Sequence, residues 1–321
     1  MFGLKLRMYL LTIILFAIVY AIVSMLSYSV FGIGDFSFYL ILSLVFMFIQ
    51  YMVGPKLVEW SMRIRYVSEK DYPQLHQMVA ELAQRARMPK PKVGIAGISL
   101  PNAFAYGRWK SDGRICVTEG ILNLLSPDEL RAVLGHEMSH LKNRDVLFIT
   151  LLSVVPIILY RIFWGLMFSR GSRRSDSGYV ALLGLAALIF YFITNLLVLY
   201  ASRIREYFAD RGSVALGNPS HQLATALYKL VYGSARMPKE SLRQVEGLKA
   251  FFLNDPSRGL KELHELKQLD LDRSGSIDAN ELLAIRTKVV KLSFGDKVLE
   301  LMSTHPNMLK RIKRLSDSEL L

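Results

Sequence analysis

Cysteine is nearly absent from this chain, histidine is scarce, and two long stretches near the N-terminus carry no charge at all. Cys116 is the only cysteine in 321 residues, so no disulfide can close within one chain, which suits a working side in a reducing compartment. Met8 to Gly34 and Phe36 to Pro55 hold no charged side chain, and each is long enough to cross the roughly 30 Å hydrocarbon layer of a bilayer. A small-residue cleavage site is also missing after the first run, and a second apolar run follows at once, so an uncleaved anchor is expected here instead of a signal peptide. No aromatic-basic or DNA-binding pattern accompanies the net charge of +13 and pI near 9.7. Nucleic acid is therefore not the expected partner, and the excess Lys and Arg suit an anionic membrane leaflet.

What is present is apolar: 52% hydrophobic residues and a mean hydropathy of +0.28 exceed the norm for a soluble protein. A second apolar pair occupies 146–201. Ser177 to Ser202 is charge-free, whereas Val146 to Ser169 carries Pro156 and Arg161 and reads as a weaker span. Lys5 and Arg7 precede the first helix, and Lys56, Arg63, Arg65 and Lys70 follow the second, which places the N-terminus and the His136–His140 segment on the cytoplasmic side. Arg170, Arg173 and Arg174 in the third turn resist a full second crossing. Either the first pair overrides them, or the second pair only dips into the membrane.

His136-Glu137-Met138-Ser139-His140 lies within SPDELRAVLGHEMSHLKNRD. Ser126 suits an N-cap, Pro127 the first helical position, and Asp128 with Glu129 the first turn, so the stretch reads as a helix. Residues four apart share a helix face, which lets His136 and His140 grip one metal ion while Glu137 addresses water beside it. That is the zinc-hydrolase arrangement. Past the second apolar pair, Glu206 and Asp210 are again four apart in SRIREYFADRGSVAL. Such carboxylates are commonly solvated or paired with neighbours such as Arg203 and Arg205, yet a zinc peptidase needs a third ligand and a carboxylate to orient an imidazole, and these two can supply both.

With PNAFAYG at 101–107, SPDELRAVLGHEMSHLKNRD at 126–145, SRIREYFAD at 202–210 and THPNMLKRI at 304–312, the chain resembles the HtpX-type membrane proteases, in the zinc metallopeptidase family that also includes the CAAX prenyl endopeptidases. The resemblance implies one zinc held by His136, His140 and Glu206, with Glu137 as general base and His305 near the tetrahedral oxyanion. Asp210 would orient a ligand imidazole. Asn102, Ala103, Phe104 and Ala105 read as an edge strand that binds an extended peptide by strand addition, and in the family the Asn at this place lies close to substrate.

One stretch departs from the family pattern. DLDRSGSIDANE places Asp270, Asp272, Ser274, the Ser276 carbonyl, Asp278 and Glu281 at the six ligand positions of an EF-hand calcium loop, with Gly275 at the turn and Ile277 at the apolar eighth position. Gly259 to Leu269 and Ala279 to Val290 read as its flanking helices. His76, His221 and His264 have no ligand-like company.

The expected molecule is α+β and mainly helical, with two transmembrane hairpins and a cytoplasmic, gluzincin-type zinc peptidase domain with a small sheet. Its expected divisions are a hairpin over 1–55, a peptidase part over 56–145, a second hairpin over 146–201, a third-ligand helix and its successors over 202–254, the calcium-loop insertion over 255–292 and the THP segment over 293–321. The expected activity is endoproteolysis of unfolded or membrane proteins at the cell membrane, as quality control under stress. Two alternatives stand beside it. A calcium-sensing scaffold without turnover would have no evident need of Glu137, and a prenyl-peptide protease shares the motifs but calls for more than four apolar segments. No oligomeric state follows from the sequence.

Overall fold

A computed structural model of the chain describes residues 48–49, 51–168, 177–235, 262–263, 266, 268–287 and 294–317. The N-terminal hairpin expected over 1–55 and the arginine turn at 170–174 lie largely outside these residues, as does His264.

Four short strands make one mixed sheet: β1 (Ile64–Tyr66), β2 (Lys92–Ala96), β3 (Ala103–Tyr106) and β4 (Arg114–Thr118), in the order β1-β2-β4-β3. The inner pair is parallel, and each outer strand runs antiparallel to its neighbour. β4 is buried along its whole length because both faces of the sheet are covered. One face joins the main core with α1 (Pro73–Ala86), which offers Leu75, Val79, Leu82 and Ala86 at helical spacing. The other closes over Val58, Met62, Phe104, Tyr106 and Cys116, so the lone thiol is an interior group.

A short α2 (Glu119–Leu124) leads to α3 (Pro127–Asn143), the helix read from the sequence. Ser126 accepts from the Glu129 amide and the Glu129 carboxylate accepts from the Ser126 amide, a reciprocal capping box. At the far end Arg144 turns left-handed, φ 56°, and its N–H bonds the carbonyls of His140 and Leu141. The chain then restarts as α4 (Asp145–Phe168), and α5 (Ser177–Ala215) follows.

Both α4 and α5 are long and apolar enough to cross a membrane. α4 runs unbroken through Pro156 and position 161, so the weaker of the two expected spans forms a helix as continuous as its partner. Leu152, Val155 and Leu159 of α4 pack with Val198 and Ala201 of α5, while Leu151, Ile157, Leu182, Leu185 and Phe192 face outward. Outward apolar rows suit lipid.

α5 continues past the charge-free stretch and carries the third-ligand segment on the same helix. It meets α3 almost backbone to backbone. A Cβ on Gly135 of α3 would lie 2.7 Å from Ser213 Oγ and 3.4 Å from Ser213 Cα of α5, and one on Gly212 would lie 2.0 Å from Ser139 Oγ. Ser213 Oγ donates to the Ala132 carbonyl at 2.6 Å across the same contact. α6 (Ser220–Ala235) buries Leu223, Leu227 and Leu230 in the core shared with α3, and Lys229 pairs with Glu129 at 2.7 Å. Three further short helices follow: α7 (Ala279–Thr287), α8 (Phe294–Leu301) and α9 (Met308–Ser316). Leu147–Ile204 group with the residues before Gly54 as one compact unit, and Gly54–Val146 with Arg205–Leu321 as another.

Candidate metal centre

α3 presents His136 and His140 one turn apart, and α5 presents Glu206 to both. His136 Nε2 and His140 Nε2 are 3.1 Å apart, and each is 3.5 Å from an oxygen of Glu206. Ligand atoms about 2.0–2.1 Å from a tetrahedral zinc lie about 3.3 Å from one another, so the donor spacing fits that ion. Glu206 Oε2 is buried and no hydrogen bond reaches it, although Arg311 Nη1 stands 3.1 Å away. Two imidazoles and a carboxylate are donors suited to zinc.

The outer nitrogens of both rings meet carboxylates. Asp210 Oδ1 is 2.9 Å from His136 Nδ1, the place expected of it, and Asp145 Oδ2 is 2.6 Å from His140 Nδ1. Each aspartate is braced by a buried arginine. Arg311 grips Asp210 at 2.6 and 3.0 Å, and Arg205 Nη2 donates to Asp145 Oδ1 and, at 2.9 Å, to the Asn143 carbonyl. The sequence offered Arg203 and Arg205 as partners of the Glu206 and Asp210 carboxylates. The partner the structure supplies is Arg311, about a hundred residues along the chain, because Arg205 is turned to Asp145.

Neither Arg311 nor Asp145 was singled out in the sequence. A signal existed for Arg311: it falls with Met308, Ile312 and Leu315 on the buried stripe of α9, where an arginine needs partners. Asp145 closes the 126–145 motif, but its approach to His140 depends on the left-handed turn at Arg144, which no spacing states.

Formal charges at this centre do not balance unless protons or a cation are added. Glu137, Glu206, Asp210 and Asp145 are four buried carboxylates, Arg205 and Arg311 are two buried guanidiniums, and two negative charges remain when the imidazoles are neutral. Protons take up part of that excess. Burial disfavours charge on His136, but Asp210 and Glu206 outweigh it and lift its pKa to about 9. His140 is held below the usual imidazole range by burial and by His136. Burial raises the Glu137 carboxyl, against the pull of His140 and His136 and of the Ala105 amide. A raised carboxyl pKa suits a group that must take up and release a proton near neutral pH.

The expected edge strand is present beside this carboxylate. β3 lies at the sheet edge, with Ala103 and Ala105 on the side of the main core and Phe104 turned into the opposite cluster. Asn102 precedes the strand and is fully buried, its backbone bonded to Thr118. His305 is buried in the turn before α9, close enough to Glu206 to favour its charged form. Of the remaining histidines described, His76 bonds the Val67 carbonyl at 3.0 Å and His221 meets Gln222 at 3.2 Å, away from any ligand set.

The residues of the expected calcium loop gather elsewhere. Asp270, Asp272 and Glu281 bring carboxylate oxygens within 4.8 Å of one another. Ser274 and Ser276 bond each other through their hydroxyls, and Asp278 caps α7 at the Glu281 amide. Ile277 is fully buried, and both its backbone groups are held by Thr225 of α6, at 3.0 and 2.7 Å.

A His-His-Glu donor set where two helices nearly touch, bordered by the edge strand β3 and carried on a chain with helices of membrane length, is the arrangement of a membrane metalloprotease. The chain belongs to peptidase family M48 and is HtpX-like. The family profile matches residues 69–319. The chain is 56% identical over 228 residues to Protease HtpX homolog of Methanothermobacter thermautotrophicus, spanning 71% of this chain and 86% of that protein. It is 34% identical over 320 residues to Protease HtpX homolog 2 of Methanosarcina mazei, spanning 98% and 94%. Superposition on the crystal structure of S. mikatae Ste24p covers 98% of this chain and 67% of that chain, with a TM-score of 0.49 and 16% identity.

Proposed function

We propose that this protease is a zinc endopeptidase acting at the cytoplasmic face of the cell membrane on unfolded or membrane protein segments. The observation that carries the zinc reading is the convergence of His136 Nε2 and His140 Nε2, 3.1 Å apart, each 3.5 Å from a different oxygen of Glu206, within a buried cluster rich in carboxylates. His136, His140 and Glu206 would hold the zinc, which would supply the Lewis acidity that brings water's pKa near neutral. Glu137 takes the proton from the attacking water and delivers it to the leaving amine, and its buried setting keeps the acid form within reach. β3 receives the substrate as an added strand, which grips backbone and so admits many sequences. His305 stabilises the developing oxyanion. Cytoplasmic placement rests on the Lys and Arg that follow residue 55.

Replacing Glu137 tests this reading. Glu137→Gln keeps the side chain's shape but cannot accept a proton, so metal content by elemental analysis should stay at the parent level while cleavage of casein, and of the protein itself, falls by roughly a hundredfold or more. Cleavage within tenfold of the parent would remove Glu137 from the role of base.

Calcium at Asp270, Asp272, Ser274, the Ser276 carbonyl, Asp278 and Glu281 belongs to the same reading. Its support is the convergence of three loop carboxylates, two of them more than nine-tenths buried. Calcium would modulate the protease through α6, which holds Ile277 and shares its core with α3.

A further inference from the structure

We propose that Asp145, braced by Arg205, is the positioning residue for His140: it fixes which ring nitrogen carries the proton and so keeps Nε2 free for the metal. The inference rests on the metal reading above. Nothing in the HExxH pattern asks for it, because Asp145 lies beyond the end of α3. The left-handed Arg144 ends that helix and brings the next residue back toward its last turn, so Asp145 Oδ2 stands 2.6 Å from His140 Nδ1. The opposite edge of the ring looks into the site, with Nε2 at 3.1 Å from His136 Nε2 and 3.5 Å from Glu206. A proton shared between Nδ1 and Asp145 leaves the Nε2 lone pair free.

Arg205 determines how Asp145 can act. Its Nη2 donates to Asp145 Oδ1, and both residues are more than nine-tenths buried. Whatever occupies position 145 must therefore present an acceptor to Arg205, and the other end of the side chain is left for His140. A carboxylate satisfies both. An asparagine would give its oxygen to Arg205 and its NH2 to His140 Nδ1, which would force the ring proton onto Nε2, the nitrogen the metal needs. Arg205 also precedes Glu206 in the chain, so the same pair ties the third-ligand segment of α5 to the last turn of α3.

The simpler alternative is that Asp145 only starts α4, where an acidic residue suits a helix N-terminus. Four variants separate the two: Asp145→Asn, Asp145→Ser, Arg205→Met and the double variant that combines Asp145→Asn with Arg205→Met. Each full-length protein in detergent is measured for zinc affinity by chelator competition and for melting temperature without metal. Asn and Ser both serve as helix starts, so a purely structural Asp145 would leave zinc affinity within twofold of the parent in both variants, and that result would overturn the proposal. The expected result is a loss of 10 to 100-fold in both, with metal-free melting near the parent's in Asp145→Asn, which keeps an acceptor for Arg205. Removing Arg205 frees the side-chain amide introduced by Asp145→Asn to rotate, so the double variant should bind zinc more tightly than Asp145→Asn alone. Equal or weaker binding would overturn the proton-placement step. A parent protein that binds no zinc would instead refute the metal reading itself.

Discussion

At the scale of single residues the site is a problem in charge. Four carboxylates and two guanidiniums are packed out of water, and such a cluster folds only if protons or a cation make up the difference. In the metal-free protein His136 keeps its proton up to about pH 9, above the roughly 6.5 of a free imidazole. A raised imidazole pKa contributes stability that is complete below about 6.5 and is lost as pH climbs through about 9. Metal binding has the opposite sign. The ion needs His136 neutral, so below about 9 each zinc must displace a proton, and affinity should rise by about tenfold per pH unit between 7 and 9. Chelator competition at three pH values measures the slope, and calorimetry in two buffers counts the protons released. An affinity that does not change over that range would mean that His136 is neutral in the metal-free protein.

At the scale of elements, part of the site could be read along the chain and part could not. Ser126 and Pro127 gave the start of α3, and helical spacing gave both the His136–His140 pair and the Glu206–Asp210 pair, because these depend on neighbours within one turn. The contact that joins the two helices rests on Gly135 and Gly212, whose lack of a side chain carries no pattern until the helices meet. The order β1-β2-β4-β3 was likewise out of reach, since strands of three to five residues do not state their partners. The carboxylate cluster at Asp270, Asp272 and Glu281, proposed above as a calcium loop, shows the same division. Its ligand spacing was legible, but its attachment to α6 through Thr225 was not. That attachment yields a test. Calorimetric titration should give the parent a calcium dissociation constant below about 1 mM, and Glu281→Gln, which removes the bidentate carboxylate, should weaken binding roughly tenfold or more. Thr225→Val leaves the buried amide and carbonyl of Ile277 without partners, and so should weaken calcium binding while touching no ligand. No binding by the parent at millimolar calcium would sink the calcium reading.

At the scale of the whole molecule, the proposed ligands His136, His140 and Glu206 are drawn from segments on either side of an apolar helix pair, so in a membrane α4 and α5 would have to return the chain to the side it left. A full crossing and a shallow dip both do so. Helix length favours the crossing: α4 has 24 residues, about 36 Å, and the charge-free part of α5, from Ser177 to Ser202, gives about 39 Å, both more than the hydrocarbon thickness. The arginines between the helices would then lie on the outer face, against the charge rule but short of its strength, since the charges that precede usually set the orientation. Single reactive cysteines decide the matter. Cys116 will not interfere, because it is buried and burial pushes its thiol up to about 12. Ser111→Cys, on an exposed turn of the peptidase unit, should react with a membrane-impermeant maleimide only from the cytoplasmic side, in inverted vesicles. Ser175→Cys, between α4 and α5, should react only from the outer side, in intact cells. Labelling of both from the cytoplasmic side would make α4 and α5 a re-entrant pair, and labelling of Ser111→Cys from outside would invert the whole protein and move its proteolysis out of the cytoplasm.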